Sequence, residues 1–380
     1  MFILHLCFDG NFVTQSYKTF DKYYPDKNLF LVNRETEDFR VIKDKEHFHG
    51  IPFTKHNFER INRMCDDCGV DTILLHGLSR TYIGLLEYLF SSKTYKVYWI
   101  FWGYELYVSL AQLGRYQLVD KKVSPFSPRT YMYPNKYNLW LCKLLRKQVI
   151  SEVLMKAIPY IDYFCFWNYG DYKLLQDNFH TGIKYKFFVY SSLEKDADDL
   201  LVQTTLPTKQ HHTLLINHQA SVTGNHHTIM ERIATVDKDN LYEKIIPLSY
   251  GSGYIRKAVL KKGKALFGEK FSPVLRYMPQ AEYFALINKV EVAVIGARRQ
   301  EAAGNIINLL SNGTKVFLRE DNNLLQYYRE KGFIIFSYEK DLNSLADLQP
   351  LTMEEQLHNR ECRIKSRVYN EQFMPSFIDQ

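Results

Sequence analysis

Three residues able to take up a proton stand where an apolar run gives way to a loop: Asp9, His76 and Glu105. A carboxylate or imidazole at the carboxyl end of a strand is placed to act as general base on a hydroxyl. Asp9 follows the run Phe2–Phe8 in Asp9-Gly10-Asn11, and His76-Gly77 closes the run Thr72–His76. Glu105 lies in Trp102-Gly103-Tyr104-Glu105-Leu106-Tyr107, after the run Val97–Phe101. Each has a plain structural reading too: Glu105 as an acid favoured by the positive end of a helix, His76 as a core histidine.

Three further loops carry donors suited to anionic oxygen. Asn217-His218-Gln219-Ala220-Ser221-Val222-Thr223-Gly224-Asn225 combines small residues with side-chain donors ahead of a helix from His226, as a phosphate cradle or as a turn capped by Asn225. In Ser249-Tyr250-Gly251-Ser252-Gly253 the glycines permit close backbone approach, and Tyr250 offers a ring or a hydroxyl. The stretch Gly296-Ala297-Arg298-Arg299-Gln300-Glu301-Ala302-Ala303-Gly304-Asn305 sets two guanidinium forks and an amide at a strand-to-helix junction. Such forks match diphosphate oxygens. Gly304, inside the expected helix, costs about 1 kcal/mol relative to Ala unless packing or a ligand requires it.

The elements that must position these residues alternate between short apolar runs and amphipathic stretches. Strands are expected at Phe2–Phe8, Leu29–Asn33, Thr72–His76, Val97–Phe101 and Tyr163–Trp167. After a polar stretch over 193–211 that reads as a linker, strands are expected at His212–Ile216, Lys244–Leu248, Val290–Ile295, Lys315–Leu318 and Phe333–Ser337. Helices between them include Gln280–Lys289, Arg299–Leu310, which stops at Asn312-Gly313, and Asn323–Glu330. The pattern predicts an α/β protein of two Rossmann-like, doubly wound domains, 1–200 and 201–350, with a helical tail over 351–380 that can return to the first.

Composition limits the partners. The 380 residues carry a formal charge of +7 without any long basic block, which favours phosphate-bearing ligands and argues against a nucleic-acid arm. Six scattered cysteines fit a reducing compartment better than a disulfide framework. Cys65-Asp-Asp-Cys68 has half the spacing of a zinc site but lacks a second pair, and the doublets His211-His212 and His226-His227 diverge too far to chelate. No metal and no cofactor is expected. The N-terminus lacks the basic head and long apolar stretch of a signal peptide, and no apolar run is long enough to span a bilayer. Lys136–Lys156 reads as a helix whose Lys136, Trp140, Lys143 and Lys147 share a face, either solvated or lying on an anionic membrane surface. A cytoplasmic protein, peripheral on the cytoplasmic face of the inner membrane, is the expectation.

In order and spacing these pieces resemble a known family. Leu75-His76-Gly77, Trp102-Gly103-Tyr104-Glu105-Leu106-Tyr107, the 217–226 loop, Pro247-Leu248-Ser249-Tyr250-Gly251, Glu282-Tyr283-Phe284-Ala285-Leu286-Ile287 and Ala297-Arg298-Arg299-Gln300 occur as in the TDP-Fuc4NAc:lipid II transferases (4-α-L-fucosyltransferases, glycosyltransferase family 56). The similarity covers roughly residues 70–335. Two pieces depart from it: the family's Gly-Ala-Asp-Leu-Tyr stands here as Gly103-Tyr104-Glu105-Leu106-Tyr107, and its Gly-Asn-Ser as Asn217-His218-Gln219. The resemblance implies a GT-B fold with an interdomain cleft, inverting transfer, a dTDP-type sugar donor and a polyprenyl-diphosphate-linked glycan as acceptor. On that reading Asn217, His218, Gln219, Ser221, Asn225, Tyr250, Gly251, Ser252, Arg298, Arg299, Gln300 and Asn305 hold the donor. Glu282 bonds ribose or sugar hydroxyls, and Glu105, or else His76 or Asp9, takes the acceptor proton. A nucleotide-sugar epimerase would need a glycine-rich dinucleotide fingerprint after the first strand, which Asp9-Gly10-Asn11-Phe12 does not supply. A non-catalytic nucleotide- or glycan-binding protein, or a transferase with another sugar and a soluble acceptor, remains the rival reading.

Overall fold

The computed structural model describes residues 1–36, 38–42, 46–120, 149–190 and 205–378. Among these, 1–115, 149–190 and 368–378 form one compact unit, and 116–120 with 205–367 form a second. The expected basic face at Lys136, Trp140, Lys143 and Lys147 lies outside the described residues; the C-terminal part of that stretch is helical over Ile150–Ala157.

The first unit is built on a parallel sheet of β1 (Ile3–Cys7), β2 (Asn28–Val32), β3 (Phe48–Gly50), β4 (Thr72–His76), β5 (Lys96–Ile100), β6 (Tyr163–Cys165) and β7 (Lys184–Lys186). Their order is β3-β2-β1-β4-β5-β6-β7. β1 and β4 are buried along their whole length, as expected for central parallel strands covered on both faces. Helices α1 (Asn11–Tyr23), α2 (Phe58–Cys68), α3 (Arg80–Leu89), α4 (Tyr104–Gln112), α5 (Ile150–Ala157) and α6 (Tyr169–Phe179) connect the strands. Met374, Phe377 and Ile378, near the chain's end, join the core that Ile3, Phe20, Phe30 and Tyr98 form. The Tyr24 hydroxyl fixes them, donating to the Met374 carbonyl and accepting from the Ile378 amide at 3.0 Å.

The second unit has a parallel sheet in the order β10-β9-β8-β11-β12-β13. Its strands are β8 (Thr213–Ile216), β9 (Glu243–Pro247), β10 (Phe271–Val274), β11 (Val292–Ile295), β12 (Lys315–Leu318) and β13 (Phe336–Ser337). Helices α7 (His226–Val236), α8 (Gly253–Phe267), α9 (Gln280–Ile287), α10 (Ala303–Ser311), α11 (Asn323–Glu330) and α12 (Met353–Lys365) accompany them. The chain winds one way from β8 to β10 and the other way from β11 to β13. The loops after β8 and β11 therefore flank a topological switch point, the position where open α/β sheets bind ligands. The corresponding point in the first unit lies between β1 and β4.

The helix anticipated from Arg299 begins at Ala303, because Ala302 takes a left-handed backbone with φ of 62°. Both arginines thus stay in the loop, and Gly304 is the second residue of the helix rather than an interior one. A Cβ at Gly304 would meet nothing within 4 Å, so packing does not demand glycine there.

Candidate functional site

In the second unit, two asparagines sew the switch-point loops together. Asn217 Oδ1 accepts the Gly296 amide at 2.7 Å, while its Nδ2 donates to the Gly224 carbonyl at 2.9 Å. Asn225 Nδ2 donates to the Gly296 carbonyl at 2.9 Å, and its Oδ1 accepts the Asp120 amide at 2.8 Å. Both side chains are therefore spent on backbone, and Asn225, itself left-handed, makes no side-chain cap for α7. Gly296 is required by close approach: a Cβ there would lie 2.2 Å from the Gly224 carbonyl oxygen.

The third loop joins the first through its backbone. Ala220 N donates to Tyr250 O at 3.1 Å and Ser252 N to Ala220 O at 2.8 Å. Gly251, at φ of 101°, presses so closely that a Cβ would sit 2.5 Å from Ala220 O. Ser252 caps α8, accepting the Ile255 amide, and Tyr250 remains exposed. The sequence reading assigned these loops to one donor site, and the fold brings them to the carboxyl end of one sheet.

At that end sits a carboxylate given no role from the sequence. Glu301 is buried and accepts from Gln219 Nε2 at 2.6 Å and from Thr223 Oγ1 at 2.8 Å. Because the single Thr223 hydroxyl proton goes to Glu301, the Ser221 hydroxyl, 2.6 Å away, must donate to Thr223. Burial alone would raise the Glu301 pKa, but Arg299, then His218 and the Thr223 and Gln219 hydrogen bonds, outweigh it and hold it low. The His218 pKa is lowered as well, chiefly by burial, against the opposing pull of Glu301. Its Nε2 lies 3.7 Å from Glu301 Oε1. His226, whose ring faces the Ser221 backbone, makes no hydrogen bond of ordinary geometry and is lowered by burial to about 4.

The two arginines separate in role. Arg298 Nε and Nη2 donate to Asp120 Oδ1 at 2.9 and 2.8 Å, and its Nη1 meets the Asp321 carboxylate. Its fork is neutralised by two acids, so the expected diphosphate contact from Arg298 gives way to a structural one. Arg299 touches only the edge of Glu301, Nε to Oε2 at 3.4 Å, and its Nε makes no hydrogen bond. It is the guanidinium at the switch point with donors to spare. Gln300 shares the same loop, and Asn305 lies in the first turn of α10. Glu282 is in the first turn of α9, half exposed, with Arg276 Nη2 on its Oε1 at 2.6 Å. Two donors beside the 249–253 loop were given no role from the sequence: the buried Tyr283 hydroxyl and Arg256 Nε have no hydrogen-bond partner. No spacing pattern marks either one.

In the first unit, two of the three candidate bases are consumed. Asp9 Oδ1 accepts the Val41 and Ile42 amides at 3.0 Å each, and Oδ2 accepts the Arg40 amide and Arg34 Nη1. Although partial burial works against it, these bonds hold its pKa below the ordinary carboxylate value. Asp9 is a loop staple and a poor base. His76 is fully buried, within a directed chain of rings. Asn28 Nδ2 donates to the Tyr24 carbonyl, which leaves Asn28 Oδ1 to accept from His5 Nε2 at 3.1 Å. His5 Nδ1 then accepts from His76 Nε2 at 3.0 Å, and His76 Nδ1 accepts the Tyr190 hydroxyl at 2.8 Å. Trp102 Nε1 in turn donates to Tyr190 at 3.0 Å. Burial lowers His76 to about 3, so the expected imidazole base is a neutral link.

Glu105 remains. It is the second residue of α4, buried, with Oε1 accepting the Leu78 amide at 3.1 Å. Gly77, at φ of 79°, stands against it: a Cβ there would come within 3.1 Å of Oε1. Among the described residues no three His, Cys, Asp or Glu side chains cluster as a metal site, and no helix is long and apolar enough to cross a membrane.

No protein-family model matches the chain, and no curated protein matches it significantly. Solved structures do. A sucrose-phosphate synthase from Thermosynechococcus elongatus aligns over 99% of this chain and 94% of its own, with a TM-score of 0.58 at 10% identity. A glycosyltransferase from Rickettsia africae gives 0.63 at 12% identity over 98% and 95% of the two chains. Anabaena HepE, solved with UDP and glucose, gives 0.61 at 10% identity over 98% and 97%. Identities this low make the likeness one of fold, and the fold is GT-B: two Rossmann-like units, each a doubly wound parallel sheet with its own switch point.

Proposed function

We propose that the chain is a glycosyltransferase that takes a nucleoside-diphosphate sugar at the switch point of its second unit. The observation carrying this reading is the convergence of the 217–225, 249–253 and 296–302 loops at the carboxyl end of one sheet, with Arg299 beside them. Glu301, tethered by Gln219 and Thr223, holds that guanidinium by its Nε edge and leaves the fork's outer nitrogens for diphosphate oxygens. As the bond from the anomeric carbon to the diphosphate breaks, charge develops on the leaving oxygen. A preorganised guanidinium and first-turn amides of α10 stabilise that charge. The acceptor oxygen forms the new bond and its proton passes to Glu105, since Asp9 is saturated and both ring nitrogens of His76 are already hydrogen-bonded. Direct displacement of this kind inverts the anomeric centre.

The family resemblance supports a finer version: a dTDP-linked 4-amino-fucose-type donor, a polyprenyl-diphosphate-linked glycan acceptor, and work at the cytoplasmic face of the inner membrane. The fold neighbours include proteins solved with UDP and glucose or with UDP-2-fluoroglucose. That keeps a uridine-linked donor and a soluble acceptor as the competing version.

Thermal stabilisation by a panel of dTDP- and UDP-sugars decides between them, with dTDP-amino-deoxy sugars expected to stabilise most. Arg299→Ala should weaken binding of the preferred nucleotide roughly 10- to 100-fold, the value of one or two charge-assisted hydrogen bonds. Glu105→Gln should leave that binding intact and slow turnover roughly 10²- to 10⁴-fold. A protein indifferent to every nucleotide diphosphate is not this enzyme. One that binds, but has no turnover for Glu105→Gln to remove, is a binding protein.

A further inference from the structure

Helix α8 (Gly253–Phe267) contains five basic residues, Arg256, Lys257, Lys261, Lys262 and Lys264, and no acidic one. Its buried positions, Val259, Gly263 and Phe267, recur at four-residue spacing and define the face against the sheet. Gly263 lies so close that a Cβ would overlap the Phe271 ring, so this face is fixed. The opposite face carries Tyr254, Lys257, Lys261 and Lys264 at intervals of three, four and three residues, all exposed. Lys262 does not belong to it, since its ammonium is paired with Glu231.

Apolar side chains adjoin this stripe at one end. Strand β10 runs parallel to β9 on the sheet's edge, and Leu275 and Tyr277 follow its last residue, Val274, at the end where α8 begins. Leu275 is 47% exposed, Tyr277 74% and Tyr254 42%, far above what buried-face residues show. Lysines flanking exposed aromatic and aliphatic tips are the composition of a surface that lies on a bilayer interface. Rings settle at headgroup depth while ammonium groups meet anionic lipid.

We infer that this face of the second unit, Tyr254, Lys257, Lys261 and Lys264 with Leu275 and Tyr277, docks on an anionic lipid surface. The inference stands independently of the nucleotide-sugar reading. The charge complementarity is one-sided along the helix: the nearest acid in sequence, Glu269, is followed at once by Lys270, and Glu282 is taken by Arg276. A nucleic acid would use the lysines but has no use for Leu275.

Co-sedimentation of the whole protein with vesicles tests this. Vesicles of phosphatidylcholine carrying roughly a third phosphatidylglycerol should bind it, pure phosphatidylcholine far less, and high salt should release it. Lys257→Glu with Lys261→Glu should cut the partition roughly tenfold or more, as should Leu275→Ser with Tyr277→Ser, while unfolding temperatures stay near that of the parent. The second pair keeps the test alive if the charge-reversed protein fails to fold. Equal binding by parent and both variants, no preference for the anionic vesicles, or binding to a single-stranded RNA with none to vesicles would each overturn the inference. Nucleotide binding by the same variants should not change, so its loss or absence bears only on the donor site.

Discussion

Asp120→Ala should destabilise the second unit by about 3 kcal/mol, the lower end of the range for removing one partner of a buried ion pair. Asp120 reaches that unit through the short segment 116–120 and ends among two arginines. Its Oδ1 accepts from Arg298 Nε and Nη2, and Arg319 Nη1 reaches Oδ2 at 2.8 Å while Nη2 reaches Oδ1 at 3.1 Å. Burial would raise the Asp120 pKa, yet Arg319 and then Arg298 outweigh it and hold the group ionised. With the carboxylate gone, Arg319, only 3% exposed, keeps Glu339 alone, and Arg298 keeps Asp321. Those remaining partners are why the upper end of the range is not expected. Hydrogen exchange at the β12 amides, where Arg319 follows directly, reads the loss locally. A cycle with Arg319→Met separates charge from bulk: the double variant should recover part of the single variant's cost. Strict additivity, or β12 protection unchanged by Asp120→Ala, would show that the pair does not support the unit. Because Arg298 is the residue before Arg299, the same substitution should also loosen nucleotide binding if the donor site lies where we place it.

The sequence made the central strands plain for a physical reason. Strands covered on both faces must be apolar throughout, and Thr213–Ile216, Val292–Ile295 and Lys315–Leu318 are buried along nearly their whole length. The strands it hid are short or peripheral: Phe48–Gly50, Lys184–Lys186 and Phe271–Val274. Each lies at a sheet edge, and the last carries Pro273 in its interior, a position open to proline on an edge strand. Site residues were legible as types at loop positions, but their fates depend on partners far along the chain. Asp9 looks catalytic until Arg34 and the 40–42 amides close on it, and His76 until His5 and Tyr190 take both its nitrogens. Arg298 and Arg299 are adjacent and alike in sequence. Only an aspartate 178 positions away makes one structural and leaves the other with donors to spare.

Stability should fall as pH drops from neutrality towards 4, and histidines should set the slope. In the folded protein His76 is lowered to about 3 and His226 to about 4, both by burial, and His5 is lowered by burial and then by His76. Each is neutral when folded, while an unfolded chain binds protons at its histidines near the ordinary value of 6.5. The unfolded state therefore takes up more protons below that value, and stability that is complete above 6.5 declines as pH falls through the window to the folded values. Each such histidine adds about 1.4 kcal/mol per pH unit within its window. Asp9, Asp120 and Glu301 have folded pKa values lowered below those of ordinary carboxylates, so their share of stability persists until the pH nears 4. Between pH 6 and 5 the loss is then a histidine effect. Denaturant unfolding at closely spaced pH values should show it, and the combined substitution His76→Gln and His226→Gln should flatten the slope by about two of those increments. His5 and His76 share one hydrogen-bonded chain, so removing either alters the titration of both. A slope unchanged by the double substitution, or stability level from pH 7 to 5, would mean that these rings are charged or hydrated in the native protein. The directed chain from Trp102 to Asn28 would then have to be abandoned along with the acid sensitivity.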